Sequence, residues 1–340
     1  MINFGVLPIT DIENLANSFR AEFQELEETD FVIVGATGFL GKWLSTYLAF
    51  LQSNSIITGT LTLVVRDHGK LAELGEIPNF AKFRVILSSS ISKTSFSHLG
   101  SKRVVVIYGA TSTSVTEQIS KTSTASVTSL AREILTAIST NSVTFVHLSS
   151  GSVYIPEARQ LDAIPGGFEV QNTSNDPYTF EKLALERWTI FENERKQCVG
   201  RNPRLFTFYG PGLQMDRHFA IAEFMRCGLQ GNPIVIKGNP HNLRSYLYPT
   251  DAIKQILRQT LISEPQYSQI GSFSPRTILS VAQTVAEEFG VNVEILNSQI
   301  SRKDNYVPQD VPTMLETDFS QGISLWAKWL KSGFKGHING

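Results

Sequence analysis

The sequence predicts an α/β protein, with a doubly wound parallel sheet followed by a smaller mixed α/β C-terminal lobe. Three observations carry that expectation. Five short runs rich in Val and Ile are apolar without alternation, as strands buried on both faces of a parallel sheet are. Helical patterns lie between them, which implies βαβ units with right-handed crossovers. The first run leads straight into a glycine-rich turn and an apolar-striped helix, in "FVIVGATGFLGKW" at 31–43.

Composition agrees and narrows the function classes. At 340 residues the chain suits about two domains, and 41% hydrophobic with 18% charged residues is ordinary for a globular protein. A formal net charge of -1 gives no global attraction to nucleic acid or to an anionic membrane. Two cysteines, Cys198 and Cys227, have no paired spacing, which points to a reducing compartment without a disulfide framework. The start "MINFGVLPITDIENL" lacks the pattern of a signal peptide. No run reaches the ~18 apolar residues that a membrane span needs. These features together predict a cytoplasmic protein.

In chain order, residues 1–29 form an N-terminal helical extension. Its helix is expected over 9–28, with Asp11 as a cap and Ile12, Leu15, Ala16, Phe19, Phe23 and Leu26 on one face. Strands are expected at 31–35, 61–65, 83–87, 103–109 and 143–150. Between the first two, Leu40, Leu44, Tyr47, Leu48 and Leu51 share a helical face. The Ser/Thr-rich segment 111–130 reads as a polar helix because Val115, Ile119, Val127, Leu130, Ile134 and Leu135 keep helical spacing. Past residue 205, Gly and Pro punctuate short strands, and helices are expected near 218–229, 250–262 and 277–289. The predicted division is 30–204 for a dinucleotide domain and 205–340 for a substrate lobe, some of whose segments are free to return to the first domain. A cleft between two such lobes is the default ligand site.

The chemistry starts at the glycines. Gly35, Gly38 and Gly41 suit a strand that turns into a helix whose first N–H groups face a pyrophosphate. The second strand ends in "LVVRDHGK", where Arg66 suits the 2′-phosphate of NADP and Asp67 the 2′-hydroxyl of NAD. The order leans toward NADP and leaves NAD open. Tyr178 and Lys182, in "DPYTFEKLALERW", stand four apart at a helix start and share a face. A tyrosine is a poor base near its usual pKa of ~10, but an ammonium and an oxidised nicotinamide nearby both favour the phenolate. The fifth strand ends in "HLSSGSVY", which places Ser150 where it could bond a substrate oxygen beside Tyr178.

As an ordered set, "GATGFLG", "SSGSVY", "YTFEK", "RLFTFYGPG" and "RSYLYPTD" resemble the extended short-chain dehydrogenase/reductase family, in particular its nucleotide-sugar epimerases, dehydratases and reductases. The resemblance runs from about residue 30 to 330. It implies a Rossmann-like cofactor domain and a C-terminal lobe that grips a nucleoside diphosphate sugar. Ser150, Tyr178 and Lys182 would be catalytic. The cofactor would lie against Gly35, Thr37, Gly38, Phe39, Leu40, Gly41, Arg66, Asp67 and Ala110, with Tyr178 and Lys182 also contacting it. The substrate would meet Ser150, Gly151, Ser152, Thr207, Arg217, His218 and Arg244, the last on its diphosphate.

Departures from the family pattern are informative. The 4,6-dehydratases carry Asp-Glu after the catalytic Thr/Ser, where this chain has Gly151 and Ser152. Decarboxylase relatives keep a Glu at the second of these positions. Thr207 replaces an Asn that often contacts substrate. No His, Asp or Glu cluster has metal-ligand spacing, so no catalytic metal is expected. The leading expectation is an NAD(P)-dependent epimerase working through a keto sugar. A 4-keto-sugar reductase is the nearest rival; a small-carbonyl reductase and a non-catalytic nucleotide sensor trail it. The resemblance also implies a homodimer through the Tyr178/Lys182 helix, where Phe180, Leu183, Ala184, Trp188 and Phe191 offer apolar surface.

Overall fold

The structure is a computed structural model that describes residues 7–17, 24–67, 69, 83–100, 103–111, 124–139, 142–215, 219–262, 267–296 and 303–332. The chain forms two compact units whose segments interleave. One comprises Met1–Val153, Val170–Leu205 and Ile253–Ser268; the other comprises Tyr154–Glu169, Phe206–Ala252 and Gln269–Gly340.

The first unit is an α/β sandwich around a parallel sheet. Its strands are β1 (Thr29–Val34), β2 (Leu61–Val65), β3 (Arg84–Leu87), β4 (Arg103–Tyr108), β5 (Val143–His147), β6 (Ser149–Ser150) and β7 (Val199–Leu205). The order is β7-β5-β4-β1-β2-β3, with strand Tyr267–Ile270 beyond β7 and with β6 paired to β7. β1 lies at the centre, Phe31 facing Leu61 on one side and Val105 on the other, and all six of its residues are buried. The helices are α1 (Ile9–Asn17), α2 (Phe39–Ser53), α3 (Thr124–Ala137) and α4 (Pro177–Glu194). On one side of the sheet, Val127, Ala131 and Ile134 of α3 join Val104, Val106 and Phe145 and the α4 residues Leu185 and Trp188 in one apolar cluster.

All five expected strands are present, with corrections. β3 is an edge strand and is partly exposed rather than buried on both faces. The run 143–150 is not one strand: it breaks at Leu148, and Ser149–Ser150 pair with Arg204–Leu205 instead. The N-terminal helix is described over Ile9–Asn17 alone, and Gln24–Leu26 form a single 3-10 turn that feeds Leu26 into the core before β1. Asp11 does not cap this helix. It lies inside it and is buried, and Pro8 supplies the first accepting carbonyl. The Ser/Thr-rich segment does contain a helix, but it runs over Thr124–Ala137; Val115 and Ile119 lie outside the described residues. Strand β7 was not anticipated, because its "VGRNPRL" is polar although nearly all of it is buried.

Among the described residues the second unit carries short paired strands, a 3-10 turn at Pro156–Gln160 and four α-helices. In order they are β8 (Thr207–Phe208), α5 (Ala220–Leu229), β9 (Ile234–Ile236), β10 (Leu243–Arg244), β11 (Tyr246–Leu247), α6 (Pro249–Arg258, which crosses into the first unit), β12 (Tyr267–Ile270, which also straddles the boundary), β13 (Arg276–Thr277), α7 (Ile278–Phe289), β14 (Val293–Ile295) and α8 (Phe319–Lys331). β8 pairs with β11, β9 with β14 and β10 with β13. Helix α7 starts on the Thr277 side chain and stops at left-handed Gly290. The buried Tyr209 ring gathers Tyr246, Tyr248, Phe319 and Trp326 around it. Gly322 of α8 makes room for its hydroxyl, which a Cβ there would meet at 2.2 Å. Among the described residues, no helix is long and apolar enough to cross a membrane, and no group of three or more His, Cys, Asp or Glu could hold a metal ion.

Candidate functional site

The glycine turn follows from close backbone approach. Gly35 leaves β1 with φ +86, and a Cβ there would lie 2.9 Å from Ala110 N and Gly109 C. Only glycine meets both demands without strain. Gly38 N donates to Gly35 O at 3.0 Å, closing the turn, and a Cβ on Gly41 would lie 2.1 Å from that same oxygen. Gly41 therefore lets α2 sit directly on the turn. Gly38 is the N-cap of α2 and offers no side-chain acceptor to its first N–H groups. Those donors, on Phe39 and Leu40 among others, are the groups a helix leaves without intrahelical partners. The cradle fits a dinucleotide pyrophosphate. Parallel pairing of Val34 with Val64 brings the end of β2 alongside. There Arg66 and Asp67 are exposed, and the Asp67 carboxylate accepts the Gly69 N–H at 2.8 Å.

The catalytic candidates come together in the same unit. Asp176 caps α4 by accepting from Thr179 N at 2.9 Å and Thr179 Oγ1 at 2.6 Å, which puts Tyr178 in the first turn. Lys182 follows one turn on, its Nζ 5.6 Å from the centre of the Tyr178 ring. That ammonium donates to Thr111 Oγ1 at 2.9 Å and to Leu148 O at 2.7 Å. The break at Leu148 thus has a use: the Leu148 carbonyl, outside both strands, accepts from Lys182. Beyond the break the Ser150 hydroxyl hydrogen-bonds the Tyr178 phenol and accepts the Ser152 N–H at 3.2 Å. Gly151 opens a buried 3-10 turn, and the Ser152 hydroxyl is buried with no hydrogen-bond partner among the described residues.

The electrostatics differ from the simple expectation. Burial raises the Tyr178 pKa above its ordinary value, with Glu181 and Asp176 adding to the rise and Ser150 opposing it. Burial also lowers Lys182 to about 8, against the pull of Glu181 and Glu186. The protein's own groups therefore hold the phenol protonated. The positive charge of an oxidised nicotinamide acts in the opposite direction.

Sequence reasoning missed three supports. Thr111, just past β4, is one. The second is the buried ion pair of Glu186 with Arg204, in which Arg204 Nε and Nη2 each reach a Glu186 oxygen at 3.0 Å. Ser149 Oγ donates to the same carboxylate at 2.6 Å. This network ties β6, which carries Ser150, to the helix that carries Tyr178 and Lys182. The four-residue step from Lys182 to Glu186 was the available signal. The third is His147, fully buried and held neutral by burial and by Lys182, with Nδ1 3.1 Å from Asn202 Oδ1.

The remaining candidates belong to the second unit. Thr207 opens β8 opposite Tyr246 and is half-buried. Arg244 sends Nη2 to Asp304 Oδ2 at 2.9 Å, and Nη1 to Leu243 O at 3.0 Å and to Asp304 O. Asp304 Oδ1 accepts from Arg159 Nη1 at 3.0 Å. Burial raises the Asp304 pKa, but the two guanidinium groups outweigh it and hold the carboxyl below its usual range. Arg217 and His218 lie outside the described residues.

Comparison with known proteins places these features among relatives. A family model described as the NAD dependent epimerase/dehydratase family matches residues 31–263. The chain is 26% identical over 152 residues to a trifunctional UDP-glucose 4,6-dehydratase/UDP-4-keto-6-deoxy-D-glucose 3,5-epimerase/UDP-4-keto-L-rhamnose-reductase of Arabidopsis thaliana, covering 44% of this chain and 22% of that one. It is 24% identical over 107 residues to UDP-glucuronic acid decarboxylase 3 of the same plant, covering 31% of each. The matches thus span less than a third of these curated relatives. Among solved structures, a UDP-N-acetylglucosamine 4-epimerase from Methanobrevibacter ruminantium M1 aligns with TM-score 0.74 at 16% identity, over 90% of this chain and 99% of that one. A UDP-glucuronic acid 4-epimerase from Bacillus cereus, in complex with UDP-glucuronic acid and NAD, aligns with TM-score 0.69 at 19% identity, over 89% and 99%. At such identities the structures establish a common fold.

Proposed function

The chain belongs to the NAD dependent epimerase/dehydratase family, and from that premise we propose that it is an NAD(P)-dependent nucleotide-sugar epimerase. It would act by transient oxidation of a sugar hydroxyl, at C4, to a ketone. The observation that carries this reading is the hydrogen bond between Ser150 and Tyr178 with Lys182 one turn away, in the unit that also holds the glycine cradle. A dinucleotide held at the Gly35, Gly38 and Gly41 turn and by Lys182 would supply reversible hydride transfer with the sugar carbon.

The chain's own residues do the rest. Ser150 would hold the reacting oxygen against Tyr178. The Tyr178 phenolate would take the hydroxyl proton and give it back. Lys182, fixed by Thr111 and the Leu148 carbonyl, would keep a positive charge beside the phenolate and reach the cofactor ribose. Gly151 and Ser152 supply no carboxyl group, so the acid and base that water elimination requires are missing at those positions. That supports epimerisation over dehydration. The unpartnered Ser152 hydroxyl suits a sugar hydroxyl instead.

Residues 30–204 are assigned to cofactor binding and catalysis, and 205–340 to the substrate, with Thr207, Arg217, His218 and Arg244 as its contacts. Arg66, the first residue after the β2 run, supports a ribose-phosphate reader and hence a lean toward NADP, while the exposed Asp67 carboxylate, one oxygen of which accepts the Gly69 N–H, keeps NAD open. A homodimer in the cytoplasm completes the proposal, built on α4 and its neighbour, where Phe191 is half-exposed.

A panel of nucleotide sugars tests it. An epimerase interconverts isomers, separable by chromatography, with no net change at the absorbance band of the reduced nicotinamide. Steady NADPH consumption with a 4-keto sugar would overturn that and favour the reductase, the reading to which Arg66 lends most weight. Mass analysis of nucleotides released on denaturation decides between NAD and NADP.

A further inference from the structure

We propose that Arg159, which nothing in the sequence singled out, is a second ligand for the substrate diphosphate beside Arg244. The proposal rests on the nucleotide-sugar reading above and names the part of that site it leaves unassigned. Three cationic side chains meet two carboxylates on one face of the second unit: Arg159 and Arg244 share Asp304, and Lys303 pairs with Asp162 at 2.7 Å. Two guanidinium groups on one carboxylate leave a positive charge unbalanced, which an anion would neutralise.

The two arginines are not equivalent. Arg244 spends Nη1 on two carbonyls and Nη2 on Asp304, and its side chain is 20% exposed. Arg159 commits Nη1 alone to Asp304, and its side chain is 38% exposed. Its guanidinium lies over the Tyr306 ring, 4.8 Å from the centroid, and Tyr306 in turn packs on Phe206 at 4.7 Å. The stack holds the fork in place while Nε and Nη2 make no hydrogen bond among the described residues.

A purely structural task for this guanidinium is already filled by other groups. The turn Pro156–Gln160 is tied to the 303–306 segment by Asn305 N donating to Arg159 O at 2.8 Å and by Gln160 Nε2 donating to Lys303 O at 2.6 Å. Neither contact needs the Arg159 side chain. What the side chain adds is a preorganised pair of donors for phosphate oxygens.

Calorimetric titration of the full chain with UDP and with inorganic pyrophosphate tests the assignment, comparing the parent with Arg159→Gln and Arg159→Lys. Arg159→Gln is expected to weaken both ligands about tenfold or more, the loss of a charge-assisted hydrogen bond. Arg159→Lys should recover part of that loss, and NADP+ binding should be unchanged in both, which reports on folding. An Arg159→Gln protein that binds UDP as the parent does overturns the assignment and leaves the epimerase reading standing. A parent that binds pyrophosphate but not UDP, with Arg159→Gln losing pyrophosphate, keeps the anion site and overturns the nucleotide-sugar reading. A parent that binds neither overturns both.

Discussion

Strands β1 and β7 are both buried in the same sheet, yet beyond Thr29 and Asp30 at its start β1 is apolar, whereas β7 is polar through its middle. β1, "TDFVIV", buries Phe31, Val32, Ile33 and Val34 and delivers the chain to the glycine turn. β7, "VGRNPRL", buries Arg201, Asn202 and Arg204. Each of these side chains has a partner, although Asn202 Nδ2 has none among the described residues: Arg201 donates to Ile262 O and Gly200 O, Asn202 Oδ1 meets His147, and Arg204 meets Glu186. An apolar strand gains stability from area removed from water and tolerates small changes. A polar strand depends on specific partners, and removing one leaves a buried charge alone. The apolar strand leads into the glycine turn; the polar one anchors the segment that carries Ser150.

The comparison can be broken at four levels. The largest effect lies in the chemistry that β7 and α4 support. Tyr178→Phe should lower kcat by roughly 10²–10⁴-fold while weakening the dinucleotide affinity proposed for the β1 turn far less; equal loss of both in steady-state and titration measurements would remove the proposed division of labour. Next comes the ion pair. Glu186→Ala strands Arg204 in the interior and should cost about 3–5 kcal/mol in urea denaturation, whereas replacing Glu186 and Arg204 together by apolar residues of similar volume should recover most of it.

The third is a pH effect. Burial lowers Lys182 from 10.5 to about 8, so between those values the unfolded chain binds a proton that the folded chain does not. The Lys182 contribution to stability should therefore rise with pH through that window, by about 3 kcal/mol, against the opposite contributions of buried Cys198 and of the buried tyrosines, whose pKa values burial raises. Lys182→Met should lack the slope, and identical pH profiles for the two proteins would contradict the burial argument. The smallest effect is on the apolar strand: Ile33→Val in β1 should cost only about 1 kcal/mol, readable as a modest drop in melting temperature.

The legible part of the molecule follows this division. The strands β1, β2, β4 and β5 are apolar and announce themselves, and Gly35 and Gly41 could be read because close backbone approach leaves a residue-type signature. Tyr178 and Lys182 were readable from helical spacing. β7 was not, since buried polar residues look like a surface segment until their partners are known. Arg159 and Asp304 were missed for a related reason: they stand 145 positions apart, and nothing local marks either as half of a pair. Asp11 misled, because a carboxylate near a helix start fits a cap until the first hydrogen bond is located.

By itself, then, the sequence determined the fold class and the glycine turn, which rest on periodicity and on short-range backbone geometry, and it offered Ser150, Tyr178 and Lys182 as candidates through their chain order and a family resemblance. Tertiary structure alone decided the break at Leu148, the partners of the buried charges and the direction of the Tyr178 and Lys182 shifts. Those depend on what surrounds a group in space, and desolvation has no signature in the order of residues.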